Sequence, residues 1–186
     1  GDDGICMKGG AGAAGVKAGP CENINIQDNT VYHAHGGFVI GSEFSGGMKN
    51  IVVRNNTFQG TDAGLRFKSA VKRGGKSENI YIDHIYMTDI TGDAITFETT
   101  YFDNHVGAKQ QAAPVKQEFL PDFQDIHISN VYVRGCKNGI VAHGAEGMIH
   151  DITIKDCNIF YNKNAKDIDA ACKITLENVN FSTFAK

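Results

Sequence analysis

The stretch Asn79-Ile80-Tyr81-Ile82, followed by Ile85 and Met87, is one of a series of similar phrases along the chain. Asn23-Ile24-Asn25-Ile26 leads to Asn29 and Val31, and Asn50-Ile51-Val52-Val53 leads to Asn56 and Phe58. Asp125-Ile126-His127-Ile128, Asp151-Ile152-Thr153-Ile154 and Lys173-Ile174-Thr175-Leu176 continue the series. Each phrase opens on a polar residue and then mostly alternates apolar with polar, as a short strand with one buried face does. Most then reach an Asn or Asp near a bend, where these residues tolerate left-handed backbone and hydrogen-bond locally. A second short strand often follows, at Gly37–Gly41, Leu65–Lys68, Ala94–Glu98 and Gly139–Ala142.

The phrases start at 23, 50, 79, 125, 151 and 173, mostly 22 to 29 residues apart. A repeat of this length with several strands per unit marks a stacked coil, because one unit cannot bury its apolar face alone. The pattern predicts an all-β fold, a right-handed parallel β-helix. Ile24, Ile51, Ile80, Ile126 and Ile152 should share one buried face. A β-sandwich also strings short strands together, but its strands have no reason to resemble one another. No segment sustains a 3.6-residue period. The one long interval holds Tyr101–Phe123, with Gln110, Gln111, Pro114 and Pro121 and no strand pattern. It reads as a loop excursion from one coil, near 101–123.

The totals agree with many turns and short strands. The 186 residues include 22 Gly, 3 Pro and no Trp, and the formal net charge is −3. No basic excess points to nucleic acid or to an anionic membrane surface. The apolar runs are too short to span a bilayer. The opening residues do not read as a signal peptide, a feature that a mature or excised chain would share. Cys6, Cys21, Cys136, Cys157 and Cys172 lack the CxxC spacing of a zinc site and read as mostly reduced and buried.

Three stretches carry chemical groups. Asp2 and Asp3 lie side by side between Gly1 and Gly4. His33-Ala34-His35-Gly36-Gly37 places histidines beside glycines that allow a close approach. In Gly64-Leu65-Arg66-Phe67-Lys68-Ser69, the period of two puts Arg66 and Lys68 on one face, where two cations repel unless an anion lies between them. Each has an ordinary reading as a solvated turn or strand face. Placed on successive stacked coils, however, they would line one groove. His84, His105, His127, His143 and His150 have no ligand spacing and read as surface or turn positions.

In order and in kind, Gly1-Asp2-Asp3, Ala34-His35-Gly36 and Arg66-Phe67-Lys68 resemble the GDD, GHG and RIK motifs of the polygalacturonases, glycoside hydrolase family 28. Gly37–Gly47 and Gly60-Thr61-Asp62-Ala63-Gly64 resemble the bacterial exo-acting members. The resemblance is dense from Gly1 to about Asp89 and thinner beyond. Ala34 stands for the first Gly of GHG and Phe67 for the Ile of RIK; neither change touches a charged or imidazole group.

The resemblance implies hydrolysis of the α-1,4-galacturonosyl bonds of pectin with inversion, without metal or other cofactor, by a secreted or periplasmic enzyme. Inversion needs one acid for the leaving oxygen and one base for water on the opposite face. By resemblance Asp2 is the general acid, Asp3 serves the water, and His35 supports the acid or the sugar. Arg66 and Lys68 would bind the galacturonate carboxylate, and Tyr101 would pack against a sugar ring. Crowded carboxylates would raise one pKa and keep an acid protonated. The family's third catalytic Asp lies in an NTD motif one coil before GDD. Residues 1–186 are therefore expected to be the C-terminal part of a single β-helix catalytic domain, inactive without its N-terminal coils. The partner expected is a pectic polysaccharide or oligogalacturonide. Alternatives are a rhamnogalacturonan hydrolase of the same family, a calcium-dependent pectate lyase, and a non-catalytic carbohydrate-binding β-helix.

Overall fold

The computed structural model describes residues 1–100 and 118–183. In chain order the elements are β1 (Ile5–Met7), α1 (Gly12–Ala18), β2 (Cys21–Gln27), β3 (Thr30–Tyr32), β4 (Gly36–Ser42), β5 (Met48–Gln59), β6 (Ala63–Ser69), β7 (Ser77–Glu98), β8 (Ile126–His143), β9 (Ile152–Ile168) and β10 (Ile174–Thr183). Every pairing between these strands is parallel. The strands form a right-handed parallel β-helix.

The phrases that recur in sequence stack in space. Ile24 pairs with Ile51, Ile51 with Ile80, Ile80 with Ile126, Ile126 with Ile152, and Ile152 with Ile174. Ile51, Ile80, Ile126 and Ile152 are buried, as the alternation predicts. Ile24 is only partly buried, because β2 is covered by β5 alone. The second strands stack as well: Phe38 pairs with Leu65, Leu65 with Ile95 and Ile95 with Ile140.

The coils turn at residues whose side chains suit the turn. Asn23, Asn50, Asn79, Asp125 and Asp151 form one row at φ between 51° and 60°. Asp28, Asn55, His84, Asn130, Asp156 and Asn178 form a second row in the same range of φ. Asn and Asp reach this left-handed region at lower cost than other non-glycine residues. They also bond along the row: Asn79 Nδ2 donates to Asn50 Oδ1 (2.7 Å), and Asn50 Nδ2 to Asn23 Oδ1 (2.9 Å). The long strands therefore bend without breaking their ladders.

The interior is apolar, and its aromatic rings pack between coils. Phe67 and Phe97 stack at 4.4 Å, and Phe123 meets both edge-on at 6.1 and 6.3 Å. Phe123 corrects the loop expected over Tyr101–Phe123. It is fully buried, stacks on Phe44 at 5.0 Å and bridges to Ile149, while Asp122 bridges to Lys76. The excursion thus rejoins the coil before Phe123; residues 101–117 lie outside the described part. The helix α1 was not legible as a period because it has only seven residues.

Candidate active site

Asp2 and Asp3 precede β1, in backbone that is not yet strand. Asp2 O accepts from His35 N (3.1 Å) and Gly4 N donates to Gly36 O (2.8 Å), so this stretch is laid along the next coil. Gly4 and Gly36 make that contact possible by lacking a side chain. A Cβ on Gly4 would sit 2.4 Å from Val31 Cγ1, and one on Gly36 would meet Val39 Cγ2 at 2.4 Å and Asp3 Oδ1 at 3.2 Å.

The two acids are placed very differently. Asp3 is 7% exposed, and its Oδ2 receives Lys68 Nζ at 2.8 Å, joining residues 65 apart in sequence. Its Oδ1 is buried with no hydrogen-bond partner among the described residues. Asp2 is exposed and folds back on itself, its Oδ1 accepting Asp3 N at 2.8 Å. That backbone bond, together with the charges of Lys68, His35 and Lys8, outweighs desolvation and holds the Asp2 carboxyl below the usual carboxylate range. The rise expected from crowded carboxylates is not found at Asp2. Asp3 spends its charge on Lys68, so Asp2 faces a neutralised neighbour.

Arg66 and Lys68 flank Phe67, which is wholly inside the core, so both lie on the outward side of β6 as the period of two predicts. Arg66 is half-buried and Lys68 is 5% exposed. The anion between the cations turns out, at least for Lys68, to be the chain's own Asp3. Neighbouring charges continue this arrangement: Glu43 accepts from Lys8 (2.7 Å), Ser42 Oγ (3.0 Å) and Arg73 (3.5 Å). Burial resists ionisation of Glu43, yet Lys8 and Ser42 hold its carboxyl below the ordinary value. Cys6 packs here too, Sγ 3.2 Å from Gly41 O, and burial pushes its thiol up to about 11.

His35 lies one coil beyond the acids, and its partner was not anticipated from the sequence. Its Nδ1 is 2.8 Å from Asp62 Oδ2, and Asp62 Oδ1 accepts Thr91 Oγ1 at 2.9 Å. The signal for this pair was present as spacing. His35 and Asp62 are 27 residues apart, as are Asn23 and Asn50; Asp62 and Thr91 are 29 apart, as are Asn50 and Asn79. Asp2, Asp3, His35, Arg66 and Lys68 thus occupy neighbouring coils, with Asp2 bonded to His35 through backbone and Asp3 to Lys68 through side chains. Tyr101 lies outside the described residues. A hollow of about 310 Å³ lined by Asp151, Cys172 and residues 173–175 includes none of these groups.

Four other described histidines meet an aspartate. His84 pairs with Asp83, His127 with Asp125 (2.9 Å), His143 with Asp167 and Asp169 (3.4 and 3.2 Å), and His150 with Asp122 and Asp151 (3.0 and 2.7 Å). All five cysteines are free thiols.

The model of glycosyl hydrolases family 28 matches residues 1–183. The chain belongs to this family. It is similar to an exo-poly-alpha-D-galacturonosidase of Dickeya chrysanthemi, with 31% identity over 72% of this chain and 22% of that protein. A polygalacturonase of Ralstonia nicotianae is 27% identical over 92% of this chain and 30% of that protein. In structure the chain is similar to the hyperthermoactive exopolygalacturonase of Thermotoga maritima, with a TM-score of 0.84 and 31% identity over 97% of this chain and 39% of that one. The chain therefore spans between about a fifth and a third of the length of these curated relatives. In this family 28 chain the Asp2-Asp3, His35 and Arg66–Lys68 stretches lie on consecutive turns of one β-helix.

Proposed function

We propose that this chain supplies the acid–base and carboxylate-binding groups of an exo-acting, inverting galacturonan hydrolase, as part of a single β-helix catalytic domain. The observation that carries this reading is the pair of unlike aspartates, one exposed and one ion-paired, beside His35 and the Arg66–Lys68 coil. The names of the relatives point to polygalacturonan as the substrate class.

Asp3 is suited to the base. Lys68 fixes one oxygen, and the other remains a buried acceptor for a proton from water. Asp2 is suited to the acid because it is exposed and can reach a leaving oxygen. It must gain a proton against a carboxyl held low in the unliganded site. Substrate binding works in that direction, since a galacturonate carboxylate adds like charge and expels water, and both raise a neighbouring carboxyl's pKa. Arg66, with its planar fork, is the recognition group for that carboxylate. Lys68 contributes its charge from beneath, through Asp3. A further carboxylate from the rest of the polypeptide completes the water site. The enzyme acts on pectic polymers outside the cytoplasm, a reading that rests on the polymeric substrate named for its relatives. Among the described residues no helix is long and apolar enough to cross a membrane.

The test uses the intact protein that carries this chain, with polygalacturonate and oligogalacturonides. The expected result is release of small saturated uronides, the first product showing the inverted anomer by NMR. Asp2→Asn should lower kcat about 10²–10⁴-fold, the loss typical for a positioned proton donor, with KM little changed. Arg66→Ala should chiefly raise KM. An unsaturated product stopped by EDTA, a retained anomer, or full turnover by Asp2→Asn would overturn this reading.

A further inference from the structure

We propose that Asp62, braced by Thr91, is a positioning residue that fixes the tautomer and ring orientation of His35; its consequence for turnover rests on the hydrolase reading above. Four successive coils are in lateral register here. His35 N donates to Asp2 O, Asp62 N to Ala34 O (3.0 Å), Thr91 N to Thr61 O (3.0 Å) and Gly92 N to Asp62 O (2.9 Å). The side chains link the same coils outside, Thr91 Oγ1 donating to Asp62 Oδ1 and His35 Nδ1 to Asp62 Oδ2. Each carboxylate oxygen thus has its own partner on an opposite neighbouring coil. Rotation of Asp62 about its last torsion would break both bonds.

The consequence for the imidazole follows from its valence. A neutral ring carries one N–H, and a carboxylate accepts but does not donate. Nδ1 beside Asp62 is therefore the protonated nitrogen, and Nε2 is left as the acceptor that can serve the groove. The second nitrogen of a histidine takes its role from the bond made by the first. The hydrogen bonds from His35 and Thr91 also hold the Asp62 carboxyl below the ordinary value, so an acceptor persists at Nδ1. Arg66, four residues along β6, adds to this effect. Asp62 thereby links the coil of the candidate catalytic histidine to the coil of the candidate carboxylate clamp.

An ordinary surface ion pair predicts something else. The His35 and Asp62 side chains are 41% and 59% exposed, and pairs this open add little to stability. Under the positioning role, Asp62→Ala should leave the unfolding midpoint almost unchanged and still alter the ring. The experiment is long-range ¹H–¹⁵N NMR of the histidine rings in the intact protein, alongside kinetics on oligogalacturonides. Wild type should show His35 as the Nδ1–H tautomer; Asp62→Ala should convert it to Nε2–H or a mixture. Turnover should fall about 10–100-fold with KM within about two-fold, the size of loss seen when a carboxylate orienting a histidine is removed. Thr91→Val should give a smaller change of the same kind, and Asp62→Glu should recover part of the tautomer signal. An unchanged His35 tautomer in Asp62→Ala overturns the proposal. So does an unchanged tautomer accompanied by lost activity. A changed tautomer supports it even where wild type fails to cleave galacturonan, and that failure would instead remove the hydrolase reading.

Discussion

Replacing Lys68 by Met asks whether its ammonium is part of the fold or only a substrate contact. The structure makes it part of the fold. Lys68 and Asp3 are each 7% exposed at the side chain, bonded at 2.8 Å, and Phe67 anchors the strand beside them in the core. Removing one member of a buried pair strands the other charge and typically costs about 3–5 kcal/mol. A urea m-value near 3 kcal/mol/M, the upper end for small proteins, converts this to a midpoint lowered by about 1–1.7 M. The double variant Asp3→Asn with Lys68→Met leaves no buried charge and should recover at least half of that loss, because neutral replacement of a whole buried pair is often nearly neutral. Raising NaCl from 0.1 to 1 M should hardly alter the wild-type contribution, since buried pairs are poorly screened. Urea melts of the two single variants and the double variant measure the coupling. A cost below about 1 kcal/mol for Lys68→Met, the value of an exposed pair, would refute the reasoning, as would additive costs in the double variant.

Two further outcomes follow from groups away from the site. At His150 burial opposes the charge, but hydrogen bonding to Asp151 and the charge of Asp122 prevail and raise its pKa. The resulting stabilisation is complete below the ordinary histidine value of 6.5 and is lost as pH rises through the raised folded value. The wild-type Tm should therefore fall relative to His150→Gln between pH 5 and pH 9, and parallel pH curves for the two proteins would contradict this. Asn50 sits at φ 54° within the asparagine ladder. Asn50→Ala should cost about 2 kcal/mol, of which 1–2 is the left-handed strain on an L-residue with a Cβ. Asn50→Gly removes that strain and should be milder by about 1 kcal/mol in a denaturant melt; a glycine variant no better than alanine would show that backbone strain plays no part.

What the sequence determined is local and repetitive. Alternation in Asn79-Ile80-Tyr81-Ile82 selects which side chains face inward, and an Asn or Asp at each corner supplies the left-handed turn. Both are properties of a few adjacent residues, so repeating them dictates the coil and its register. The order of Asp2, Asp3, His35, Arg66 and Lys68 on successive coils was legible for the same reason. Only the tertiary structure decided how these groups divide their roles. Coil stacking brings Lys68 onto Asp3 across 65 residues, which buries one aspartate and leaves its neighbour exposed with a lowered pKa. It likewise sets Asp62 against His35, a contact that depends on coil length rather than on local pattern. Phe123 was misread as loop because a single buried aromatic has no periodicity to announce it, and its place is fixed by the rings of Phe44, Phe67 and Phe97 that it fills against. Propensity and alternation act between near neighbours in the chain, whereas charge pairing and close packing act through space.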